Sequence, residues 1–372
     1  SFDREPGSLL GVQQELSAAI AEQISLRLSP ERVDSLARRE PGRADAYDLY
    51  LRGRNFENQR TPAATRRAIE YYTRAAKLDP DYALAWVGIA RTYAGSTLNG
   101  DGEPREVVPR ARHAAEQALR ADARLAESQF AAGYVQWCCD WRWNEAERAL
   151  RRAVELDPRL QVAHIALGHL LSQSGRHAEA LEVMAQARAI DPQFAFAHAI
   201  SSQVAYQARD YQAALDHARA AIVLDPELWI GHIMQGQALE ALGDLDGALA
   251  SLMQAARFSD QNSKTLAMRA HVLAKARRYV EAREVLRMLE ALAGTQTKYV
   301  PPYALALIHA GLDEADVAFT WLERAYAARD PHLIYLTVDP RWDPYRRDPR
   351  LASLLRRCGF PTVTAPGGAT GR

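Results

Sequence analysis

The sequence is short of the residues and runs that mark several classes of protein. Only three of its 372 residues are cysteine, two adjacent and one far away, so no CxxC pair or Cys/His metal spacing occurs. We therefore expect neither a disulfide-built fold nor a metal or other cofactor. No run approaches the roughly 18 consecutive apolar residues of a membrane helix, and we expect no membrane contact.

An excess of charge of either sign is also missing. The 46 basic and 46 acidic residues cancel, and no basic run is present. Proteins that bind nucleic acid usually carry a clustered basic excess, so we expect no nucleic-acid partner. The first residues lack the basic and apolar regions of a signal peptide. We expect a cytoplasmic protein; a membrane span upstream of this sequence would make it periplasmic instead.

Motifs of the common catalytic sites do not occur. The sequence contains no G-x-x-x-x-G-K-[ST], G-x-S-x-G or H-E-x-x-H. Its histidines and carboxylates follow no spacing that forces an acid–base pair. The sequence therefore predicts a protein that is not an enzyme.

The sequence does contain a pattern that recurs at a fixed interval. Pro158, Pro192 and Pro226 each follow an aspartate and lie 34 positions apart. A period of 34 with a proline ending each unit is typical of stacked helix–turn–helix repeats. Each repeat buries its surface only against its neighbours, so a long chain needs no single core. Small residues that let paired helices approach recur at the same interval: Gly168, Ser202 and Gly236 on first helices, and Ala180, Ala214 and Ala248 on second helices.

The repeated residues resemble the tetratricopeptide repeat family from Ala46 to about Pro331. The family pattern W-x2-L-G-x2-Y is matched best by Trp86-x2-Ile89-Ala90-x2-Tyr93. The resemblance implies an all-α, right-handed solenoid of about eight repeats with capping helices at both ends.

The sequence pattern before and after the repeats differs from that of the repeats. From Leu9 to Leu28 apolar residues recur every three or four positions, which predicts an amphipathic helix. Solenoids need atypical ends that cover exposed apolar faces. We expect amphipathic helices over 1–44 as a leading cap or linker, the repeat solenoid over 45–331, a C-terminal cap over 332–360 and a disordered tail over 361–372.

A looser resemblance links both ends of the chain to the C-terminal halves of bacterial multidomain regulators. It rests on the helix 8–28 with the stretch 45–53, and on 321–326 with 339–344. In those proteins a nucleotide cyclase, winged-helix or kinase domain precedes the repeats. The resemblance implies the sensory or regulatory part of a bacterial signalling protein, and the activity of the upstream domain is not carried over.

In the tetratricopeptide family, first helices line a concave face that binds protein segments. The cations of the family's carboxylate clamp are missing here, because position 5 is Ile165, Ala199 and Ile233 in successive repeats. The resemblance thus implies an apolar groove for a peptide or partner-protein segment rather than for a C-terminal carboxylate. The implied groove residues are Phe130, Tyr134, Trp137, Ile165, His169, Gln173, Phe196, Ile200, Gln203, Tyr206, Ile230, Ile233, Met234, Gln237, Met268 and His271.

Other interpretations stay open at this point. A tight superhelix or the N-terminal helix of the same chain could cover part of the groove. The repeats could instead form a homodimer, or an aromatic pocket near Phe130 could bind a small molecule. We expect functional contacts where the period is interrupted: the loop Gly95–Pro104, the cluster Trp137–Trp143, and Pro301-Pro302.

The histidines His164, His198 and His232 recur every 34 positions. They occupy position 4, where the family usually has tryptophan. Neighbouring helices pack about 10 Å apart, whereas zinc ligands each lie about 2 Å from one ion. We expect a structural role for these histidines.

Overall fold

The computed structural model describes residues 41–59, 61–295 and 299–361, and regular structure in these ranges is helical throughout. Sixteen α-helices pair with their sequence neighbours into eight hairpins. The predicted all-α solenoid of about eight repeats is confirmed. The hairpins are α1 (Ala44–Asn58) with α2 (Pro62–Leu78), α3 (Ala83–Asn99) with α4 (Pro104–Ala121), α5 (Ala126–Cys138) with α6 (Trp143–Leu156), α7 (Gln161–Gln173) with α8 (His177–Ile190), α9 (Ala195–Gln207) with α10 (Tyr211–Leu224), α11 (Trp229–Leu242) with α12 (Leu245–Phe258), α13 (Ser263–Lys275) with α14 (Tyr279–Thr295), and α15 (Pro302–Gly311) with α16 (Ala315–Ala327).

Shorter elements follow the eighth hairpin. They are two 3₁₀ turns, Pro331–Tyr335 and Pro340–Tyr345, and the helix α17 (Pro349–Arg357). None of the described helices has the length and apolar character needed to cross a membrane. The helices predicted before residue 41 and the tail from residue 362 lie outside the described residues, and the predicted domain boundaries stay predictions.

The Asp–Pro turns between hairpins are held by the aspartate side chain. Oδ1 of Asp157 accepts the backbone N–H of Arg159 at 3.0 Å. Asp191 and Asp225 accept the N–H two residues further on, at 3.0 and 3.1 Å. Such a bond lets an aspartate stabilise a turn. These aspartates recur because the turn recurs.

The periodic histidines also stabilise the turns. In His164, His198 and His232, Nε2 lies 2.9–3.0 Å from the carbonyl oxygen of the proline six residues earlier. A carbonyl can only accept, so Nε2 donates. Trp86 and Gln129 donate to the carbonyl six residues earlier in the second and third hairpins, at 2.8 and 2.7 Å. In these five hairpins the position carries a long side chain with an N–H donor, and its period needs no metal.

Close approach of the two helices in a hairpin explains the small residues. A Cβ atom at Gly168 would lie 2.8 Å from the sulfur of Met184, and one at Gly236 would lie 2.8 Å from Cγ of Leu252. Real Cβ contacts are not that short, so a larger residue would push the helices apart. The predicted role of these glycines is confirmed.

The second hairpin contacts the seventh through the predicted loop Gly95–Pro104. This loop is shorter than predicted, because α3 continues through residue 99 and leaves four residues before α4. Nδ2 of Asn262 donates to the backbone oxygen of Asn99 at 2.8 Å and to Oδ1 of Asp101 at 2.7 Å. Nζ of Lys264 donates to a carbonyl at the end of α3 at 3.2 Å. The row of hairpins therefore closes on itself.

The residues after α16 cross the inside of the solenoid; we call residues 330–361 the C-terminal segment. Nε2 of His332 lies 3.0 Å from the backbone oxygen of Leu98 in the second hairpin. Oγ1 of Thr337 donates to the backbone oxygen of Gln173 in the fourth hairpin at 2.8 Å. The segment predicted as a cap for the last repeat thus also contacts repeats far from it in sequence.

The end of this segment packs on the interrupted third hairpin. Nε1 of Trp143 donates to the backbone oxygen of Cys358 at 3.2 Å. The rings of Trp143 and Phe360 lie 4.7 Å apart, and the guanidinium of Arg329 lies 4.7 Å from the ring of Trp141. The interruptions at residues 95–104 and 137–143 therefore contact other parts of the same chain.

Arg209 fixes the C-terminal segment to the fifth hairpin from an unusual backbone conformation. Its φ is +69°, at the turn position where Gly175 and Gly243 stand in neighbouring hairpins. Its guanidinium donates to the backbone oxygen of Val338 at 2.5 Å and to the carboxylate of Asp343 at 2.9 Å. A non-glycine residue with this φ carries a cost of about 1–2 kcal/mol, which these contacts offset.

We expect Arg209→Ala to lower the free energy of unfolding by about 1–2 kcal/mol, because it loses a half-exposed ion pair and a hydrogen bond to a backbone oxygen. The alanine keeps the strained φ of the wild type. Arg209→Gly loses the same bonds but removes the strain. It should therefore be about 1 kcal/mol more stable than the alanine variant. Urea unfolding of the two variants and the wild type measures the difference. Equal stability of the two variants would contradict the strain at this position.

Candidate functional site

A cavity of about 570 Å³ runs along the inside of the solenoid. Most of its walls come from the first helices of the first six hairpins, with Lys264 from α13 and Tyr335 from the C-terminal segment. From α7 to α13 the helices of this face begin every 34 residues, so equivalent positions of these successive hairpins form one surface. Eleven of the sixteen implied groove residues line it: Phe130, Tyr134, Trp137, Ile165, His169, Phe196, Ile200, Gln203, Ile230, Ile233 and Met234.

Gln173 and Tyr206 make contacts within the chain instead. Oε1 of Gln173 accepts the indole N–H of Trp137 at 2.8 Å, while its backbone oxygen accepts the Thr337 hydroxyl. The hydroxyl of Tyr206 donates to Oδ1 of Asp339 at 3.4 Å. At this end of the concave face, the C-terminal segment takes the place that an external partner would occupy.

The remaining three implied residues lie around the seventh hairpin. Gln237 and Met268 line a small recess of about 30 Å³ next to the cavity, together with Arg341 of the C-terminal segment. Nδ1 of His271 lies 2.9 Å from a backbone oxygen of α15, and its Nε2 lies 3.1 Å from Oε1 of Glu240. The structure therefore divides the implied groove into an open cavity and a part that the chain itself fills.

Five aromatic rings form a continuous row on the cavity wall, which we call the aromatic row. Neighbouring ring centroids lie 5.1–5.7 Å apart, within the range of favourable ring pairs. The row consists of Phe130, Tyr134, Trp137, His169 and Tyr335.

His169 is the buried polar member of this row. Its side chain is 6 % exposed, and its Nε2 has no hydrogen-bond partner among the described residues. Burial, with a smaller contribution from the Lys264 ammonium, lowers the pKa of His169 to about 3. Its imidazole is therefore neutral at physiological pH.

The cavity also carries charges that the implied groove, with its few neutral polar groups, did not include. Arg91 and Glu57 form an ion pair on its wall, and Glu57 also accepts the hydroxyl of Tyr72 at 2.7 Å. Burial and the nearby Arg341 lower the pKa of Lys264 to about 8. The 34-residue register could have identified this lysine as a groove residue, because it lies 34 residues after the groove residue Ile230.

The family comparison agrees with this geometry. Two family models, each described as tetratricopeptide repeat, match residues 142–203 and 201–264. Residues 142–264 of the chain are tetratricopeptide repeats. No curated protein matches this tetratricopeptide repeat chain. Within the described part of the chain, no group of three or more His, Cys, Asp or Glu side chains could hold a metal ion.

A solved structure shares the fold of this tetratricopeptide repeat chain at low sequence identity. The crystal structure of the APC/C hetero-tetramer Cut9–Hcn1 is 17 % identical with a TM-score of 0.52, covering 93 % of this chain and 59 % of that chain. The chain thus spans about three fifths of that chain's length. YrrB, a TPR protein with an unusual peptide-binding site, is 17 % identical with a TM-score of 0.33, covering 52 % of this chain and 95 % of that one.

Proposed function

We propose that this chain is a protein-interaction module whose cavity binds an apolar segment of a partner protein. The observation that carries the proposal is the cavity itself, where equivalent faces of six successive first helices supply apolar and aromatic walls. A cavity of about 570 Å³ lies within the usual size range of ligand sites. Burial of apolar side chains against such walls supplies most of the free energy of association.

The walls support binding because the fold already holds them in place. Ile233 and Met234 are nearly fully buried, and Ile200 is 5 % exposed. Side chains that are fixed before binding lose little conformational entropy when a partner arrives. An extended or helical apolar segment fits a continuous surface of this kind.

The finer parts of the interpretation stay predictions. They include a role in a bacterial signalling protein, a cytoplasmic location, the absence of enzymatic activity, and the preference for apolar segments over a C-terminal carboxylate. Homodimerisation and small-molecule sensing stay the alternative functions.

Selection of peptides from a random 12-residue library against the full chain tests the proposal. The groove variants Phe196→Asp and Ile230→Asp place a carboxylate on the apolar wall, whose desolvation opposes binding. We expect each to weaken the selected peptides at least tenfold in fluorescence polarisation. Val223→Asp is the control, because Val223 is 81 % exposed on the second helix α10. It should leave the affinity unchanged.

Two results would contradict the proposal. One is that no peptide is enriched by the wild-type chain. The other is that the enriched peptides bind the groove variants as tightly as the wild type. Circular dichroism of each variant shows that a loss of affinity does not reflect unfolding.

A further inference from the structure

We propose that the aromatic row is an anchor site for a tyrosine side chain of the partner segment, an inference that rests on the proposed function. The site comprises the five rings of the row and the ammonium group of Lys264, and all of them line the same cavity. The rings supply a stacking surface for a planar side chain. His169 and Lys264 supply the polar groups that distinguish one aromatic side chain from another.

The stacking surface is continuous across three structural elements. Phe130 and Tyr134 lie one turn apart on α5 with ring centroids 5.6 Å apart and planes at 27°. The row then passes from Trp137 to His169 on α7 at 5.1 Å, and on to Tyr335 at 5.7 Å. An added aromatic ring gains offset or edge contacts with several of these rings at once.

The polar groups of the site are incompletely satisfied. Nε2 of His169 has no partner, and a buried polar atom without a hydrogen bond costs free energy. Nζ of Lys264 donates to the backbone oxygen of Leu98 at 3.2 Å and lies 5.9 Å from the centroid of Tyr335. The carboxylates of Asp101 and Asp330 attract this ammonium, while the guanidinium of Arg341 repels it. An ammonium has three donors, so it can donate to a further oxygen.

The hydroxyl of Tyr335 interacts with the side chain of Gln203 and forms no hydrogen bond with Nε2 of His169. His169 lines the cavity, so a partner for its unpaired nitrogen has to be a group that enters from there. That group has to reach a nitrogen surrounded by rings, which favours a polar atom at the tip of a planar side chain.

A phenolic hydroxyl matches this pair of groups better than other side-chain tips. A hydroxyl can donate and accept at once, so it satisfies either tautomer of a neutral imidazole and also accepts from Lys264. The indole N–H of tryptophan only donates, and a carboxylate only accepts. A phenylalanine ring fills the same space and leaves Nε2 of His169 unpaired. The site therefore selects tyrosine over phenylalanine.

Binding of two matched probes to the full chain tests the inference. N-acetyl-tyrosinamide and N-acetyl-phenylalaninamide differ by the hydroxyl alone. In ligand-observed NMR titrations we expect the tyrosine probe to bind about tenfold more tightly, because a satisfied buried polar group is worth about that factor. In His169→Phe, which retains the ring and removes both nitrogens, the two affinities should agree within about twofold. His113→Phe, an exposed histidine outside the cavity, should retain the tenfold preference.

The pH dependence distinguishes this histidine from an ordinary one. His169 protonates only near its lowered pKa of about 3. Lys264, whose pKa is about 8, and Tyr335, whose pKa burial raises, are the titratable groups beside it; Tyr134 also belongs to the row, and Glu57, Arg91, Glu127 and Asp191 line the rest of the cavity. None of His169, Lys264 and Tyr335 changes its charge between pH 5 and pH 7, so the tyrosine preference should be equal at both. A preference lost at pH 5 would contradict the neutral imidazole.

The remaining outcomes separate this inference from the proposed function. Equal affinity of the two probes, no binding of either, or a preference that survives His169→Phe would overturn the anchor site. If library peptides still bind in the cavity in those cases, the proposed function stands. If the tyrosine probe binds as expected while no library peptide does, the anchor site stands and the partner-segment proposal fails.

Discussion

Replacing Trp342 with alanine is expected to lower the free energy of unfolding by about 3–5 kcal/mol, the usual range for a buried tryptophan. Trp342 lies in the C-terminal segment and is fully buried, with an exposure of 0 %. Its indole N–H donates to the hydroxyl of Tyr303 at 2.8 Å, and its ring lies 5.8 Å from that of Tyr345. Alanine would leave a large cavity, and the Tyr303 hydroxyl would retain only its long contact to Asp339 at 3.5 Å.

The effect of Trp342→Ala should extend to the second hairpin. The same segment places His332 against the backbone oxygen of Leu98, so a displaced segment loosens the contact between the second and seventh hairpins. The backbone amides of Gly100 and Asp101, which bond to oxygens of α3 at 3.1 and 2.9 Å, should then exchange faster with solvent. Local opening of this kind is what hydrogen exchange detects.

Urea unfolding and amide hydrogen exchange measure the two effects of Trp342→Ala. Trp321→Ala is the matched control, since Trp321 lies on α16, is only partly buried, and contacts Arg324 at 4.3 Å. It should cost clearly less stability and leave exchange at residues 100 and 101 unchanged. A loss below about 1 kcal/mol in Trp342→Ala would contradict an integral role for the C-terminal segment, because buried tryptophans cost more than that.

The regular part of the fold could be predicted from the sequence because its causes are local. The turn bond of Asp157, the donor of His164 and the close approach at Gly168 each depend on residues within one or two helices. Such features recur whenever the local sequence recurs. For this reason the middle repeats, which the family models also match, carried the clearest signal.

Closure of the solenoid could not be predicted in the same way. Asn262 bonds to a residue 163 positions away, and His332 to one 234 positions away. Such contacts depend on the curvature that small rotations build up over several repeats, and no spacing in the sequence encodes it. The sequence did mark one contact indirectly, since Arg209 stands at a turn position where its neighbours have glycine.

Contacts that depend on the curvature of the solenoid also limit how much of the candidate site could be predicted from the sequence. Phe196 and Ile230 line the cavity because they lie on repeated first helices, and the register identifies them. Tyr335 lines it because the C-terminal segment folds back, which the register does not show. The register could have identified Lys264, because this residue lies one period after Ile230. Its repeat, however, matches the family pattern only weakly.

Replacing Arg341 with methionine should lower the free energy of unfolding by about 3–5 kcal/mol at pH 7, because it strips a buried ion pair of its cation. Arg341 and Asp339 are 8 % and 4 % exposed at their side chains, with Nη2 and Oδ2 2.6 Å apart. Without the guanidinium, the carboxylate would retain one backbone N–H and two long tyrosine contacts at 3.4 and 3.5 Å. Those neutral groups do not replace a cation.

The loss of stability in Arg341→Met should depend on pH, and the pKa of Asp339 determines in which direction. Burial alone would raise the pKa of Asp339, but the Arg341 guanidinium overrides it and holds that pKa below its usual value. In the wild type, the pair therefore contributes stability above the ordinary carboxyl pKa of about 4, and this contribution disappears as the pH falls through the lower folded value. In Arg341→Met, burial acts alone and raises the pKa of Asp339, so the buried carboxyl can take up a proton as the pH falls below neutral.

The stability difference between wild type and Arg341→Met should therefore shrink from pH 7 to pH 5, because only the variant gains stability from protonation of Asp339. The double variant Asp339→Asn, Arg341→Met removes both charges and should recover most of the loss at pH 7, since an uncompensated charge costs more than the absence of the pair. Urea unfolding of the wild type, the single variants Asp339→Asn and Arg341→Met, and the double variant at both pH values completes a double-mutant cycle. A double variant as unstable as Arg341→Met, or a loss that grows on acidification, would show that the arginine acts through its packing rather than through the charge of Asp339.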